Sequence, residues 1–315
     1  MAPARVLFHS TPPDASRTGT AVEVTPSRAG WRFVSFAVRQ VAPGQPWAGT
    51  TGNNECCLVL LRGSCRVEFG PAKARVASDS ATLGPRRDVF DSYPHALYLP
   101  RLTRFRVVAD EVTELADGRA PSRKRLEPRL IRPEDCGYEI RGGGNATRQI
   151  VDILPPTAAA DRLLICEVFT PGGNWSSYPP HKHDVDRPPG EVKLEEIYYY
   201  RFAARDAFGV QRLYDKRHDR ALTVSHGDVV LIRSGYHPFV SAHGYDAYYL
   251  NVLAGTRRSM AASDDPRHAG FRQWPAPDPR LPLVAPPLHP TAHSRRGGDP
   301  GLHPTAHSPR GGDPG

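Results

Sequence analysis

His181-Lys182-His183-Asp184, followed by Glu195-Glu196-Ile197-Tyr198-Tyr199-Tyr200, is the stretch on which the fold of this 315-residue chain turns. Side chains on an extended strand alternate between its faces, so His181 and His183 share one face and Lys182 points away. In the second run, a Glu196 turned toward a barrel interior brings Tyr198 and Tyr200 with it and sends Ile197 and Tyr199 outward. Two imidazoles, a carboxylate and two phenols make a lining unsuited to a dry core. Imidazole with carboxylate suits Zn²⁺, Fe²⁺, Mn²⁺ or Ni²⁺ and leaves positions for substrate oxygens. A third imidazole closes the set, and His237 in Gly235-Tyr236-His237-Pro238 is the best placed. His243, in an Ala-His-Gly turn, is the runner-up. The stretch reads as a metal site inside a β-barrel.

The rest of the chain agrees with an all-β reading. Gly 28 and Pro 33 are high and helix-period patterns are few. Short apolar–polar alternations run from about 31 to 109, punctuated by Gly44, Gly63, Gly70 and Gly84. A second set begins near 138. The net charge of +8 is modest and no basic stripe is interleaved with aromatics, which argues against a nucleic-acid partner. No stretch reaches the length of a membrane span and no apolar leader follows Met1, so the expectation is a cytoplasmic protein with no membrane partner. The five cysteines, Cys56, Cys57, Cys65, Cys136 and Cys166, are odd in number and lack CxxC spacing, so they read as buried free thiols.

The expected organisation is two tandem barrels. Residues 1–112 form a first barrel without metal, because they hold no HxH. Residues 113–134, charged and Pro-containing, form a linker. Residues 135–282 form the metal-binding barrel, and 283–315 a disordered tail. That tail contains a 14-residue tandem repeat, LHPTAHSRRGGDPG then LHPTAHSPRGGDPG, and 11 of the 33 prolines lie between Pro275 and Pro314. Such a segment buries too little apolar surface to offset its ordering entropy. Its His289, His293, His303 and His307 offer at most weak metal binding.

The pattern resembles the cupins: a glycine before HxH, a downstream Glu, a second glycine-containing strand and a final His. More narrowly it resembles the 5-deoxy-glucuronate isomerases of myo-inositol catabolism. The segments that carry the likeness are Gly84-Pro85-Arg86-Arg87-Asp88-Val89-Phe90, Arg141-Gly142-Gly143-Gly144-Asn145, and the long run from Thr170-Pro171-Gly172-Gly173-Asn174-Trp175 to Asp184. They are joined by 194–201, 235–238 and 244–251, so the likeness covers about residues 5–272. It implies a bicupin and an aldose–ketose isomerase converting 5-deoxy-D-glucuronate to 5-dehydro-2-deoxy-D-gluconate. By further likeness to the 5-keto-4-deoxyuronate isomerases, it implies the metal ligands His181, His183, Glu196 and His237. Twelve residues separate His183 from Glu196, more than most cupins have, which leaves Glu195 against Glu196 to be decided by the aromatic context. Arg233, Met260 and Phe271 depart from the family's usual residues.

Such an isomerisation moves hydrogen from C2 to C1, by a base that takes and returns a proton or by a metal-assisted hydride shift. Glu195, Asp184, Tyr198, Tyr200 or a metal-bound water are the candidate bases. The substrate, a small sugar acid, needs a cation for its carboxylate, and Lys182, Arg201, Arg233 or Arg148 can supply one. A cupin Fe-dependent dioxygenase and a non-catalytic sugar-binding cupin are the alternatives. A homo-oligomer is the default assembly.

Overall fold

The computed structural model describes residues 5–272 and 275–287 of the chain. The tandem repeat at 288–315, with its four histidines, lies outside the described residues.

The second half is built on a seven-stranded antiparallel sheet. Its order is Leu7–Phe8, Val229–Ile232, Leu194–Phe202, Ala247–Gly255, Leu164–Thr170, Arg148–Leu154, Gly137–Arg141. A four-stranded sheet, Trp175–Ser176, Phe239–Ser241, Phe208–Tyr214 and Asp219–Ser225, supplies the rest of the barrel wall. The first half repeats the plan. There Arg129–Ile131, Ala96–Leu99, Asn54–Pro71, Thr113–Pro121, Ser35–Val41 and Gly19–Val24 follow one another across one wall. The 18-residue strand Asn54–Pro71 then bends to pair with Thr103–Ala109 and Asp79–Arg86. Gly63 sits at the bend with φ 92°, and a Cβ there would come within 2.6 Å of Thr113 Oγ1, so only glycine fits.

The strands that face both ways explain why the sequence reads as nearly continuous apolar runs there. Cys56, Leu58 and Leu60 point into the first barrel, with Val67, Leu83 and Phe105. Cys57, Val59 and Leu61 point out of it and pack, with Phe36, Val38 and Ala116, against Ile165, Ile197, Tyr199, Leu250 and Val252 of the second half. The largest shared core is therefore the seam between halves, not the inside of either barrel. All five cysteines are free and buried, and burial pushes the thiols of Cys57, Cys65 and Cys136 upward.

Two polar devices lock the seam. Glu55, at the start of Asn54–Pro71, accepts the backbone N–H groups of Asp161, Arg162 and Leu163 at 2.7, 2.6 and 2.8 Å and the Tyr98 hydroxyl at 2.7 Å. Glu195, in the matching place on Leu194–Phe202, accepts those of Arg32, Phe33 and Val34 at 2.7, 2.8 and 2.9 Å. The match holds residue by residue: Cys56 pairs with Arg119 and Leu58 with Asp117, as Glu196 pairs with Leu253 and Tyr198 with Asn251. Deeper in the seam the Arg86 guanidinium makes a two-pronged pair with Glu167 at 2.8 and 2.9 Å, both side chains fully buried.

The domain boundaries differ from the expected ones. Residues 113–134 are not all linker: 122–128 is the stretch without strand or helix before Arg129–Ile131, but Thr113–Pro121 is an interior strand between Asn54–Pro71 and Ser35–Val41. Its charges had suggested a solvated loop, but Asp117 is satisfied by Arg119 and Glu114 by Arg201. Leu7–Phe8, assigned by position to the first barrel, joins the second half's sheet beside Val229–Ile232, and Arg129–Ile131 joins the first half's sheet beside Ala96–Leu99. Leu283 and Val284 are not loose: Val284 is buried and exchanges hydrogen bonds with the Gln149 side chain.

Candidate metal centre

Leu194–Phe202 runs through the middle of the second sheet, and its alternation decides which side chains meet. Tyr198, Tyr200 and Phe202 point into the barrel, with Cys166, Val168 and Phe239. Ile197 and Tyr199 point into the seam. Glu196, on the inward face and buried, meets two histidines from other segments. Its Oε2 lies 2.8 Å from His183 Nε2 and 3.5 Å from His237 Nε2. His183, Glu196 and His237 thus gather ligand atoms within 4.8 Å of one another.

The segments that deliver the histidines are short. His181–Lys182 is a two-residue strand paired with Ser263–Asp264 and not part of the main sheet. The His181 ring sits edge-on to the His237 ring at 4.6 Å and lies 6.3 Å from the His183 ring. His237 comes from the turn after Val229–Ile232. Gly235, at φ 79°, makes that turn: a Cβ would meet the Tyr214 carbonyl at 2.4 Å.

The tautomers are set from behind. His183 Nδ1 donates to the Leu194 carbonyl at 3.2 Å, and His237 Nδ1 to the Gly235 carbonyl at 3.1 Å. Each Nε2 is thereby aimed at Glu196, the backbone-oriented arrangement seen behind metal-bound imidazoles. His237 Nε2 is buried and has no hydrogen-bond partner. Burial holds the His237 imidazole at about 4, and burial together with the neighbouring imidazoles holds His181 well below its usual value, so both carry free lone pairs at neutral pH. His183 goes the other way: burial opposes its charge, but the hydrogen bond to Glu196, that carboxylate's charge and the Leu194 carbonyl together outweigh it and raise the pKa. The donor set therefore fits a divalent cation, whose charge would take the place of the His183 proton.

Around this group lies a hydroxyl layer. The Tyr198 phenol, whose ring is 6.0 Å from that of His237, shares a 2.7 Å hydrogen bond with Ser177 Oγ. Ser177 adopts φ 51°, a left-handed conformation uncommon for serine that turns up at functional sites. Tyr249 stacks on Tyr198 at 4.5 Å and bonds Ser176. Arg148 enters from Arg148–Leu154, buried, with Nη1 on the Tyr178 carbonyl at 2.9 Å. It has no carboxylate partner among the described residues, and burial beside Arg141 brings its pKa down to about 10.

Several expected site residues are placed elsewhere. Lys182 is not free for a substrate: its Nζ is held by Asp184 at 2.6 Å and by both Glu191 oxygens at 2.8 and 3.0 Å. Asp184 is committed to that lysine and, through Oδ2, to the Gly235 N–H at 2.8 Å, so it braces the His237 turn instead of taking protons. Arg201 lies on the seam face, bonded to Glu114 at 2.5 Å and to the Tyr199 hydroxyl at 2.7 Å. Arg233 turns toward the chain's first residues, with Nη2 3.4 Å from the Arg5 carbonyl. Tyr200 faces inward but donates to Gln211. Glu195 grips the seam. Glu191, Ser176, Ser177 and Tyr249 have no site role assigned from the sequence, although the last three lie in segments that carry the family likeness. The strand parity that puts Asn251 and Leu253 inward would have found Tyr249, whereas Glu191 acts through loop backbone and carries no such signal.

The two roles open to Glu195 are separable. Glu195→Gln keeps the size but loses charge-assisted acceptance of three N–H groups, at roughly 1.5–3 kcal/mol per bond to a charged group before compensation. A lowered melting temperature with turnover within a few-fold of wild type is expected. A general base would instead cost about 10²–10⁴-fold in kcat, measurable by steady-state assay.

The KduI/IolB family profile matches residues 8–271 of this chain. Two proteins named 5-deoxy-glucuronate isomerase are similar to it. That of Geobacillus kaustophilus is 42% identical over 267 residues, covering 84% of this chain and 94% of the relative. That of Geobacillus thermodenitrificans is 43% identical, covering 79% and 90%. An IolB-like protein from Salmonella typhimurium superposes with a TM-score of 0.79 at 36% identity, over 85% of this chain and 99% of that one. The oxalate decarboxylase of Lactobacillus farciminis, at 11% identity and a TM-score of 0.60 over 87% and 98% of the two chains, shares the fold alone. The paired barrels are thus a bicupin, and no described helix is long and apolar enough to cross a membrane.

Proposed function

Because the chain belongs to the KduI/IolB family, we propose that it converts 5-deoxy-D-glucuronate to 5-dehydro-2-deoxy-D-gluconate, with His181, His183, Glu196 and His237 holding a divalent metal. The observation that carries the metal is the His237 Nε2 atom, buried, 3.5 Å from Glu196 Oε2 and without a hydrogen-bond partner among the described residues. A divalent cation held by these four residues would supply Lewis acidity for the substrate carbonyl and for the negative charge that develops there.

The chain's own groups do the rest. The unpaired Arg148 guanidinium receives the substrate carboxylate and orients the sugar. Burial keeps the Tyr198 phenol protonated well above its usual range, so it serves as a hydrogen-bond donor, with Ser177 as its relay, to a substrate oxygen. Of the four side chains expected as bases, Tyr198 alone stays at the centre without a permanent protein partner other than a hydroxyl, and as a protonated phenol it gives a hydrogen bond to a substrate oxygen instead of taking the C2 proton. The tyrosine layer keeps bulk water from the reacting carbons.

The test is an NMR time course of metal-loaded protein with 5-deoxy-D-glucuronate in D₂O. Loss of aldose signals with ketose appearing, stopped by a chelator and restored by divalent metal, supports the proposal. Deuterium at the product's hydroxymethyl carbon, which is C1 of the substrate, indicates proton transfer through a base that exchanges with solvent. No conversion by the metal-loaded protein would sink the assigned substrate.

Arg148→Met should raise KM for the uronate by roughly 10–100-fold with a smaller change in kcat, since it removes binding shared by ground and transition states. Arg148→Lys should recover part of the loss. Unchanged kinetics in the methionine variant would remove Arg148 from the substrate's carboxylate.

A further inference from the structure

At the junction of the two halves lies a partly open cavity of about 430 Å³, lined by Arg32, Phe33, Asn53, Arg101, Arg123 and Arg162. None of the metal-centre residues lines it. It forms where the two glutamate grips meet: Glu195 holds the backbone of Arg32 and Phe33, and Glu55 holds that of Arg162. Those carboxylates are satisfied by backbone N–H groups, and Asp161 likewise by the Arg123 N–H and Ser122. Three carboxylates thus stand near four guanidiniums, but their lone pairs are turned to backbone N–H groups and, for Asp161, to Ser122 and Lys124. Among the described residues none of the four guanidiniums makes an ion pair. Arg101 spends one nitrogen on Asn53 Oδ1 at 2.8 Å and Arg162 one on the Gly255 carbonyl at 2.9 Å. Arg32 and Arg162 lie over the Phe33 ring at 5.4 and 4.9 Å. The Nε atoms of Arg101 and Arg162 are buried with no partner.

Four like charges around one cavity repel each other, and desolvated donors left unpaired add to the cost. An anion placed among them relieves both, and guanidiniums match phosphate and carboxylate geometry in two-pronged fashion. A single carboxylate would leave most of that charge uncompensated. We propose that this cavity binds a small polyanion carrying two or more negative charges, through phosphate or carboxylate oxygens, at a site separate from the metal centre. Arg32, Arg101 and Arg123 come from the first half and Arg162 from the second, so the ligand spans the seam and stabilises it by mass action.

The test is calorimetric titration of the metal-loaded full chain, at constant ionic strength, with inorganic phosphate and separately with tricarballylate, a tricarboxylate that coordinates metal weakly. Saturable binding of at least one, with a melting temperature raised by several degrees, is expected. The probe that binds identifies the source chemistry. Arg32→Ala/Arg123→Ala, which removes two exposed side chains that make no hydrogen bond among the described residues, should weaken binding at least about tenfold without lowering the ligand-free melting temperature. Arg101→Gln serves as a second variant should the first be poorly folded. Arg148→Met, in the metal centre, should leave this binding intact. No saturable heat with either anion, or binding that survives in the arginine variants, or binding lost in Arg148→Met, would overturn the proposal.

Discussion

His237→Ala should reduce isomerase turnover by at least about 10³-fold and leave the purified protein without bound divalent metal. The reason is that the His237 ring has no other task on its Nε2 side. That nitrogen bonds no protein atom, while Nδ1 is spent on the Gly235 carbonyl that fixes the ring's direction. The metal-free variant should therefore fold, losing only the packing of one imidazole. The stabilisation that added metal gives the wild type should vanish in the variant. His183→Ala should abolish activity to the same degree but also destabilise the metal-free protein, because it strips Glu196 of its 2.8 Å partner in a buried place. Metal content by mass spectrometry, turnover and melting with and without metal distinguish the two. Retained metal and turnover in His237→Ala would remove the centre as drawn.

Arg86→Met should cost about 3–5 kcal/mol, the usual penalty for stranding a fully buried charge, and lower the melting temperature by roughly 6–15 °C. Arg86 holds the Glu167 carboxylate through both Nη atoms and reaches the carbonyls of Leu60 and Ser92 at 2.7 and 3.0 Å. Without it, Glu167 keeps only the Tyr248 hydroxyl at 2.9 Å in the middle of the seam. Adding Glu167→Leu should restore half or more of the loss, since a buried pair removed whole is often nearly neutral. Calorimetric melting of the two variants checks this. A single variant as stable as the wild type would show that the seam opens to water around Glu167.

The alternation in Glu196–Phe202 was legible because it is local: one strand, period two, with Glu196, Tyr198 and Tyr200 inward and Ile197 and Tyr199 outward. The likeness through residues 170–184 carried the family. Partnerships across the chain could not be read. Glu195 and Glu196 are chemically alike, and what separates their work is three backbone N–H groups some 160 positions away, donors that every residue owns. Lys182 looked available for an anion until the loop after it folded Glu191 back onto it. The charged run at 113–121 imitated a solvated connection because its partners, Arg201 for Glu114 and Arg119 for Asp117, become neighbours only once the sheets have closed. In each case the sequence showed a charge and tertiary structure chose its counterpart.

The crossing of Leu7–Phe8 into the second sheet and of Arg129–Ile131 into the first has a historical reading. Each half lends its opening strand to the other, the geometry of two exchanged subunits tied end to end by one peptide. An ancestral single-barrel gene whose product paired with itself would leave this signature after duplication and fusion. At the position matching Glu196 the first barrel carries Cys56, and at that matching Tyr198 it carries Leu58, so its interior is apolar where the second barrel's is polar, while its outer wall packs against the second half. Neither barrel owns a complete set of strands. The two are bound together by strands as well as by the peptide between them.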